Sequence, residues 1–166
     1  ENLHPDKIDL NDSQVYSNIF HKGKFMGIFQ FTNNGAQRFC KRAKPENIID
    51  ISAITSIYRP GPLSANVDKL YVKAKNNPND INYVNGVVEE VTKETAGFLI
   101  FQEQIALLAH KLGDQISLDE GNKLRKLLTK KGTGESVKEK EKIREKFIRG
   151  CIAKSIDRAT ADSLWR

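Results

Sequence analysis

Apolar residues recur at helical spacing along most of this chain, and this periodicity constrains the fold more than any other feature. The clearest example is the set Ile143, Phe147 and Cys151, which lie four positions apart within a highly charged segment. Residues at this spacing share one face of an α-helix, so the pattern predicts a helix with one buried face. With 166 residues, the chain can enclose a core of such helices. We therefore expect a mainly α fold.

One segment departs from the helical period. Residues 25–31 read Phe-Met-Gly-Ile-Phe-Gln-Phe and precede the turn-forming Asn33-Asn34-Gly35. A compact aromatic run ahead of a turn is typical of a buried extended segment. We expect at most one short β element, near residues 25–31.

Prolines predict the helix boundaries in the first half of the chain. Pro45 opens a helix that must stop near Tyr58, because Pro60 follows Arg59 and the residue before a proline avoids helical geometry. The segment 59–62 (Arg-Pro-Gly-Pro) predicts a rigid turn and no helix, and Ser64 can cap a helix that follows it.

Apolar periodicity and capping residues predict the later helices. Residues 97–112 form the most apolar helical stretch. Ser117 and Glu120 form the capping-box pattern at the start of the next helix. A charged helix is predicted from about Glu135 to Lys154, and Asp157 caps a last one.

The net charge of +6 is concentrated in one part of the sequence. Residues 123–154 contain 12 Lys or Arg and 4 acidic residues, an excess of +8, whereas residues 1–122 carry −2. A local basic excess is typical of a surface that faces phosphates. The alternative is a solvated helix of mixed charge, which suits residues 138–146. No acidic residue interrupts the cluster of Arg125, Lys126, Lys130 and Lys131.

Other kinds of site are not supported by the spacing. The three histidines, at positions 4, 21 and 110, have no neighbour at metal-binding spacing. Cys40 and Cys151 lack activating neighbours, so we expect both to be buried and apolar in role. Two distant cysteines also suit a reducing, cytoplasmic setting. No apolar run approaches the roughly 18 residues that a membrane span needs.

Arg59 lies in a stiff Tyr-Arg-Pro-Gly-Pro sequence. Such rigidity suits an arginine that presents its guanidinium to a phosphate or carboxylate, because little conformational freedom remains to be lost. The alternative is an arginine that ties the turn to a neighbouring acid.

Five motifs follow one another in a characteristic order. They are Gly27-Ile28-Phe29-Gln30-Phe31, Asp50–Ile54 with Tyr58–Leu63, Phe101-Gln102-Glu103-Gln104-Ile105, Leu124–Lys131 and Phe147–Cys151. Together they resemble ordered motifs of the bacterial DNA polymerase III alpha subunits, the C family of replicative DNA polymerases. The resemblance covers nearly the whole chain and implies the N-terminal part of the fingers domain.

The resemblance implies a helical module that closes over the incoming dNTP and the template–primer DNA. At matching positions, the family's triphosphate contacts fall on Arg59, Arg125, Lys126, Lys130 and Lys131. Lys126 stands where the family has an arginine, and Thr129 where it has a glycine. The candidates for DNA-backbone contacts are Lys123, Lys138, Lys142 and Arg149.

The resemblance also implies a single domain that is a fragment of the fingers. Residues 1–23 would connect to the palm, residues 24–131 would form the nucleotide-facing core, and residues 132–166 would form a truncated basic extension. Because the chain begins at Glu1 and its last predicted helix is cut at Arg166, we expect a piece of a longer polypeptide.

The parent enzyme would be a DNA-directed DNA polymerase whose metal-binding aspartates lie in the palm. We therefore expect no cofactor on this chain, Mg²⁺ in the parent polymerase, and no polymerisation by this chain alone. The expected partners are dNTP, template–primer DNA and the remaining palm, thumb and fingers. Two alternatives stay open: a stand-alone basic helical module that binds nucleic acid without catalysis, and a protein–protein scaffold that uses the helix from Glu135 to Lys154.

Overall fold

The structure, a computed structural model, describes residues 4–129 and 134–165. In this part of the chain there are ten α-helices and no β-strand, which confirms the mainly α prediction. The helices are α1 (Ser13–Val15), α2 (Asn34–Ala43), α3 (Ile48–Ile57), α4 (Pro60–Ser64), α5 (Val67–Asn76), α6 (Gly86–Thr92), α7 (Gln102–Leu112), α8 (Leu118–Thr129), α9 (Gly134–Ala153) and α10 (Arg158–Trp165). A π-helical segment, Tyr16–Phe20, continues α1, and short 3₁₀ segments lie at Pro5–Lys7, Pro78–Asp80 and Lys93–Thr95.

The chain divides into two compact units. The first contains the residues up to Ile81 together with Glu94–Ala96, and the second contains Asn82–Lys93 and the residues from Gly97 onward. Helices α1 to α5 therefore belong to the first unit and α6 to α10 to the second. The functional division at residues 1–23, 24–131 and 132–166 stays a prediction. None of the described helices combines the length and apolar character that a membrane crossing requires.

A buried ion pair links the helices of the first unit. Lys75 Nζ on α5 lies 2.8 Å from Asp50 Oδ2 on α3, and the Asp50 side chain is only 4% exposed. The same oxygen accepts a hydrogen bond of 2.8 Å from the Glu46 amide. Burial, together with the neighbouring Asp50, raises the pKa of Tyr71. Removal of one member of such a pair typically costs about 3–5 kcal/mol, because the other charge is left buried without a partner.

Two consecutive turns take the place of the short β element near residues 25–31. Ile28 N donates to Phe25 O over 3.0 Å, and Phe31 N donates to Ile28 O over 3.2 Å. Gly27 and Gln30, at the third position of each turn, have φ of 76° and 70°. A positive φ at that position is the geometry of a type II turn. The turns bring the rings of Phe25 and Phe31 into a stack with centroids 5.3 Å apart, and this contact replaces strand pairing.

Several helices begin at positions other than the predicted ones. The helix predicted from Pro45 begins at Ile48, because Asn47 Oδ1 accepts a hydrogen bond from Asp50 N over 2.9 Å. The predicted rigid turn at residues 59–62 is wrong: Pro60 is the first residue of α4, a position where proline needs no amide hydrogen. Ser64 ends that helix and does not cap the next one, which begins at Val67.

The apolar stretch predicted as one helix over residues 97–112 is helical only from Gln102. Gln104 Oε1 accepts hydrogen bonds from the amides of Ile100, at 2.8 Å, and Phe101, at 2.9 Å. Its Nε2 donates to Val91 O on α6 over 3.1 Å. One buried amide side chain thus satisfies the start of α7 and attaches it to α6.

The predicted boundaries of the later helices are confirmed within the described residues. Ser117 and Glu120 form the reciprocal capping box, with both hydrogen bonds at 3.1 Å. Asp157 Oδ1 accepts from Thr160 N over 3.0 Å at the start of α10. The stripe of Ile143, Phe147 and Cys151 on α9 is fully buried in the core of the second unit.

Helices α7 and α8 approach closely at Gly121. A Cβ placed there would lie 2.5 Å from Ala106 O, which is backbone and cannot rotate away. We expect Gly121→Ala to lower the free energy of unfolding by about 1–3 kcal/mol, the usual range for overpacking. Urea unfolding followed by circular dichroism measures this difference.

Gly86→Ala is the matched control, because a Cβ at this first residue of α6 meets no atom within 4 Å. It should leave stability unchanged or raise it by about 0.4–1 kcal/mol, since alanine restricts the unfolded chain. Equal stability of the two variants would contradict the close approach at Gly121.

Candidate functional site

Arg125 on α8 is held by neutral side chains. Its Nη1 donates to Gln102 Oε1 at the start of α7 over 2.7 Å, and its Nε donates to Asn122 Oδ1 one turn earlier over 3.1 Å. No carboxylate pairs with it among the described residues. Two amide acceptors orient the guanidinium and leave its full positive charge uncompensated. An arginine that is oriented but has no carboxylate partner can bind an anionic ligand.

The two glutamines at the start of α7, Gln102 and Gln104, have different roles. Gln104 is buried and closes the backbone at the helix start, as described above. Gln102 is exposed and contacts Arg125. In the amino-acid sequence this motif is distinguished only by its resemblance to the family, and neither Gln102 nor Asn122 is predicted to position Arg125. The signal available in the sequence was the i, i+3 spacing of Asn122 and Arg125, which places both on one face of a helix.

Helix α8 is fixed by its own start and by its packing. The capping box of Ser117 and Glu120 begins the helix, and Lys146 Nζ on α9 donates to Glu120 Oε1 over 2.7 Å. This hydrogen bond from Lys146 is the main reason why the pKa of Glu120 is lowered. Leu124 is buried in the core, so Arg125 lies half-buried and Lys126 lies exposed on the outward side.

The four DNA-backbone candidates differ in how far their charges are already neutralised. Lys123 Nζ lies 3.4 Å from Glu139 Oε1, and Arg149 Nε lies 2.6 Å from Asp114 Oδ2. Lys138 and Lys142 form no ion pair within the described part of the chain. These two lysines and Lys123 line a cleft of about 760 Å³ on α8 and α9.

Arg59 lies on the first unit, at the residue that precedes α4. Its side chain is exposed, and it has no ion pair with any described residue. The alternative explanation for this arginine was an ion pair with a neighbouring acid. No acid among the described residues forms that pair. Lys130 and Lys131, the last two predicted triphosphate contacts, lie outside the described residues.

The described residues offer no cluster of three His, Cys, Asp or Glu side chains that could hold a metal ion. His21 Nε2 and His110 Nδ1 each lie within hydrogen-bond distance of a backbone oxygen, at 2.8 and 2.7 Å. Cys40 and Cys151 are buried free thiols, as predicted.

Comparison with known proteins identifies one family. Residues 1–154 match the family model described as the bacterial DNA polymerase III alpha subunit finger domain. The DNA polymerase III subunit alpha of Chlamydia muridarum is 35% identical over 158 residues, which cover 95% of this chain and 12% of that protein.

Two further relatives carry the same name. The DNA polymerase III subunit alpha of Halalkalibacterium halodurans is 30% identical over 163 residues, or 98% of this chain and 14% of that protein. That of Aquifex aeolicus is 30% identical over 159 residues, or 96% of this chain and 13% of that protein. The chain thus spans only 12 to 14% of the length of these curated relatives.

The two thiols provide a test of the buried geometry. Burial raises the pKa of Cys40 to about 12 and that of Cys151 to about 11, with Lys154 partly opposing the second shift. The thiolate is the reactive form, so at pH 8 we expect neither native thiol to react with Ellman's reagent on the time scale of a free cysteine. Both should react after unfolding in urea. Rapid reaction of either thiol in the native chain would contradict the structure.

Proposed function

The chain belongs to the finger-domain family of the bacterial DNA polymerase III alpha subunit, and from this premise we propose that it binds the triphosphate of the incoming dNTP and the backbone of template–primer DNA. The complete polymerase would transfer a nucleotidyl group from dNTP to the primer 3′-hydroxyl, with Mg²⁺ held by residues outside this chain. This chain would act together with the palm, the thumb and the remaining fingers, in the cytoplasm, and would not polymerise DNA alone.

The observation that carries the proposal is the uncompensated guanidinium of Arg125. A triphosphate brings several negative charges, so cations that are oriented but not neutralised supply much of its binding. Lys126 is exposed one residue later and adds a point charge. In the proposal Arg59, Lys130 and Lys131 complete the set of triphosphate contacts.

The DNA backbone would be bound by Lys123, Lys138, Lys142 and Arg149. Lys138 and Lys142 contribute most, because Lys123 and Arg149 already have carboxylate partners. A phosphate must compete with Glu139 and Asp114 for these two side chains. The salt dependence of DNA binding would therefore reflect fewer contacts than the number of basic residues suggests.

A salt series tests the DNA-backbone lysines of α9. The chain is titrated into a fluorescein-labelled primer–template, and binding is followed by fluorescence anisotropy. We expect Lys138→Ala/Lys142→Ala to weaken binding and to make the slope of log K against log salt shallower by about two, one for each lost phosphate contact.

The matched control is Lys93→Ala/Arg158→Ala, which removes the same charge from the same unit. Both side chains are exposed, and neither forms an ion pair within the described residues. Equal losses in both double variants would reduce the effect to net charge and favour the stand-alone basic module. The absence of binding at low salt would favour the scaffold alternative.

Titration with a fluorescent dATP analogue tests the triphosphate contacts. Affinity for the analogue that is unchanged in Arg125→Ala/Lys126→Ala would exclude that role.

The neutral character of Gln102 leads to a sharper expectation. Gln102→Ala removes one acceptor and frees the guanidinium, so binding of the fluorescent dATP analogue should weaken less than in Arg125→Ala. Gln102→Glu places a carboxylate beside the guanidinium and should weaken binding more than Gln102→Ala, because the new ion pair competes with phosphate. Titration with the dATP analogue ranks the three variants. If Gln102→Glu binds as tightly as the unchanged chain, Arg125 does not contact phosphate.

A further inference from the structure

The first unit contains a cleft that the proposed function does not use. It has a volume of about 540 Å³ and lies on α2, with contributions from the residues around α4 and from the start of α5. This volume is within the range of small-ligand sites, roughly 300–1,000 Å³. All of its lining residues belong to the first unit, so it does not depend on α8.

Three cations of α2 line this cleft. Arg38, Lys41 and Arg42 lie three or four positions apart, which places them on one face of the helix. Helix α2 contains no acidic residue that could interleave with them. Like charges at this spacing destabilise a helix, so an anion bound among them would relieve a repulsion that the unbound chain must carry.

Among the described residues that line this cleft, one is a carboxylate. Asp68 Oδ2 lies 3.6 Å from Arg42 Nη2, and the Arg42 side chain remains 53% exposed. Arg38 and Lys41 have no ion pair within the described residues. The lining therefore has two more positive than negative groups.

The aliphatic part of the Lys41 side chain packs against the backbone at Gly23. Gly23 has φ of 73°, and a Cβ placed there would lie 3.0 Å from Lys41 Cδ. The aliphatic part of Lys41 thus lies directly on the glycine backbone. A side chain packed in this way loses less conformational freedom when its ammonium group binds a ligand.

Apolar side chains form part of the cleft wall, and Tyr58 is the one that the base would contact. The Tyr58 hydroxyl donates to Asn33 Oδ1 over 3.0 Å, and the same oxygen accepts from Gly35 N over 2.7 Å at the start of α2. A Cβ at Gly35 would overlap the Tyr58 hydroxyl, so the ring lies directly against the glycine. Leu63 adds further apolar surface to this wall.

We propose that this cleft binds a nucleotide unit of single-stranded DNA, with its phosphate among Arg38, Lys41 and Arg42 and its base against Tyr58. Cations that bind the backbone beside an aromatic side chain are the usual elements of a single-strand site. A free mononucleotide shares this chemistry and is the other possible source of the ligand. The proposal concerns residues of the first unit alone and does not rest on the roles assigned to α8.

The test uses the 166-residue chain and a fluorescein-labelled oligothymidylate, again by anisotropy over a salt series. Arg38→Gln/Lys41→Gln should weaken binding about tenfold at low salt and make the salt slope shallower, because two phosphate-binding charges are lost. Glutamine keeps the helix propensity of α2. Tyr58→Leu should weaken binding without changing the salt slope, because a stacked base carries no charge.

The charge-matched control is Lys69→Gln/Lys73→Gln on α5, two exposed lysines of the same unit that do not line the cleft. It should change binding by less than a factor of two. Equal effects of the two double variants, or no effect of either, would overturn the proposal. Circular dichroism confirms that each variant is folded.

Thymidine monophosphate as competitor distinguishes the two sources. Oligothymidylate that the mononucleotide fails to displace supports the strand site, whereas equal affinity for both overturns it in favour of a free nucleotide. The variants of α9 separate this proposal from the previous one. Loss of primer–template binding in Lys138→Ala/Lys142→Ala, with oligothymidylate binding retained, leaves the cleft supported, and the reverse pattern leaves the DNA-backbone role of α9 supported.

Discussion

The close contact between α7 and α8 is the constraint on which the candidate site depends. At Gly121 the backbone of α8 lies against Ala106 O, at a distance that no side chain would permit. This contact brings the start of α7 beside the second half of α8, so that Gln102 can reach Arg125. The orientation of Arg125 is therefore set by a hydrogen bond between two closely packed helices.

A different interaction organises the first unit. Asp50 is buried, where an isolated carboxylate would be costly, and it is stabilised by Lys75 and by the Glu46 amide. These contacts join α3 and α5, and Phe39 of α2 packs against Tyr71 with ring centroids 6.2 Å apart. The helices that line the cleft of the first unit are therefore held by one polar and one aromatic contact in the same core.

The distribution of partners, more than the number of basic residues, distinguishes the surfaces of the protein. Arg144 and Lys146 are neutralised by acids and hold α9 against α10 and α8. Arg125 is held by amides, and Lys126, Lys138 and Lys142 by no acid among the described residues. A carboxylate partner makes a cation structural, whereas an amide partner orients the cation and leaves its field available to a ligand. This difference separates side chains that stabilise the fold from those that can bind phosphate.

The amino-acid sequence alone determined the helical class, the capping box at Ser117, the cap at Asp157 and the buried stripe of α9, because each depends on residues within four positions of one another. Its motifs also indicated the family. Only the tertiary structure decided that Gln102 holds Arg125, that Gln104 attaches the start of α7 to α6, and that residues 25–31 form two turns around an aromatic stack. These features depend on side chains that meet across helices or turns. Local propensity is a weak guide where a single buried hydrogen bond or ring contact outweighs it.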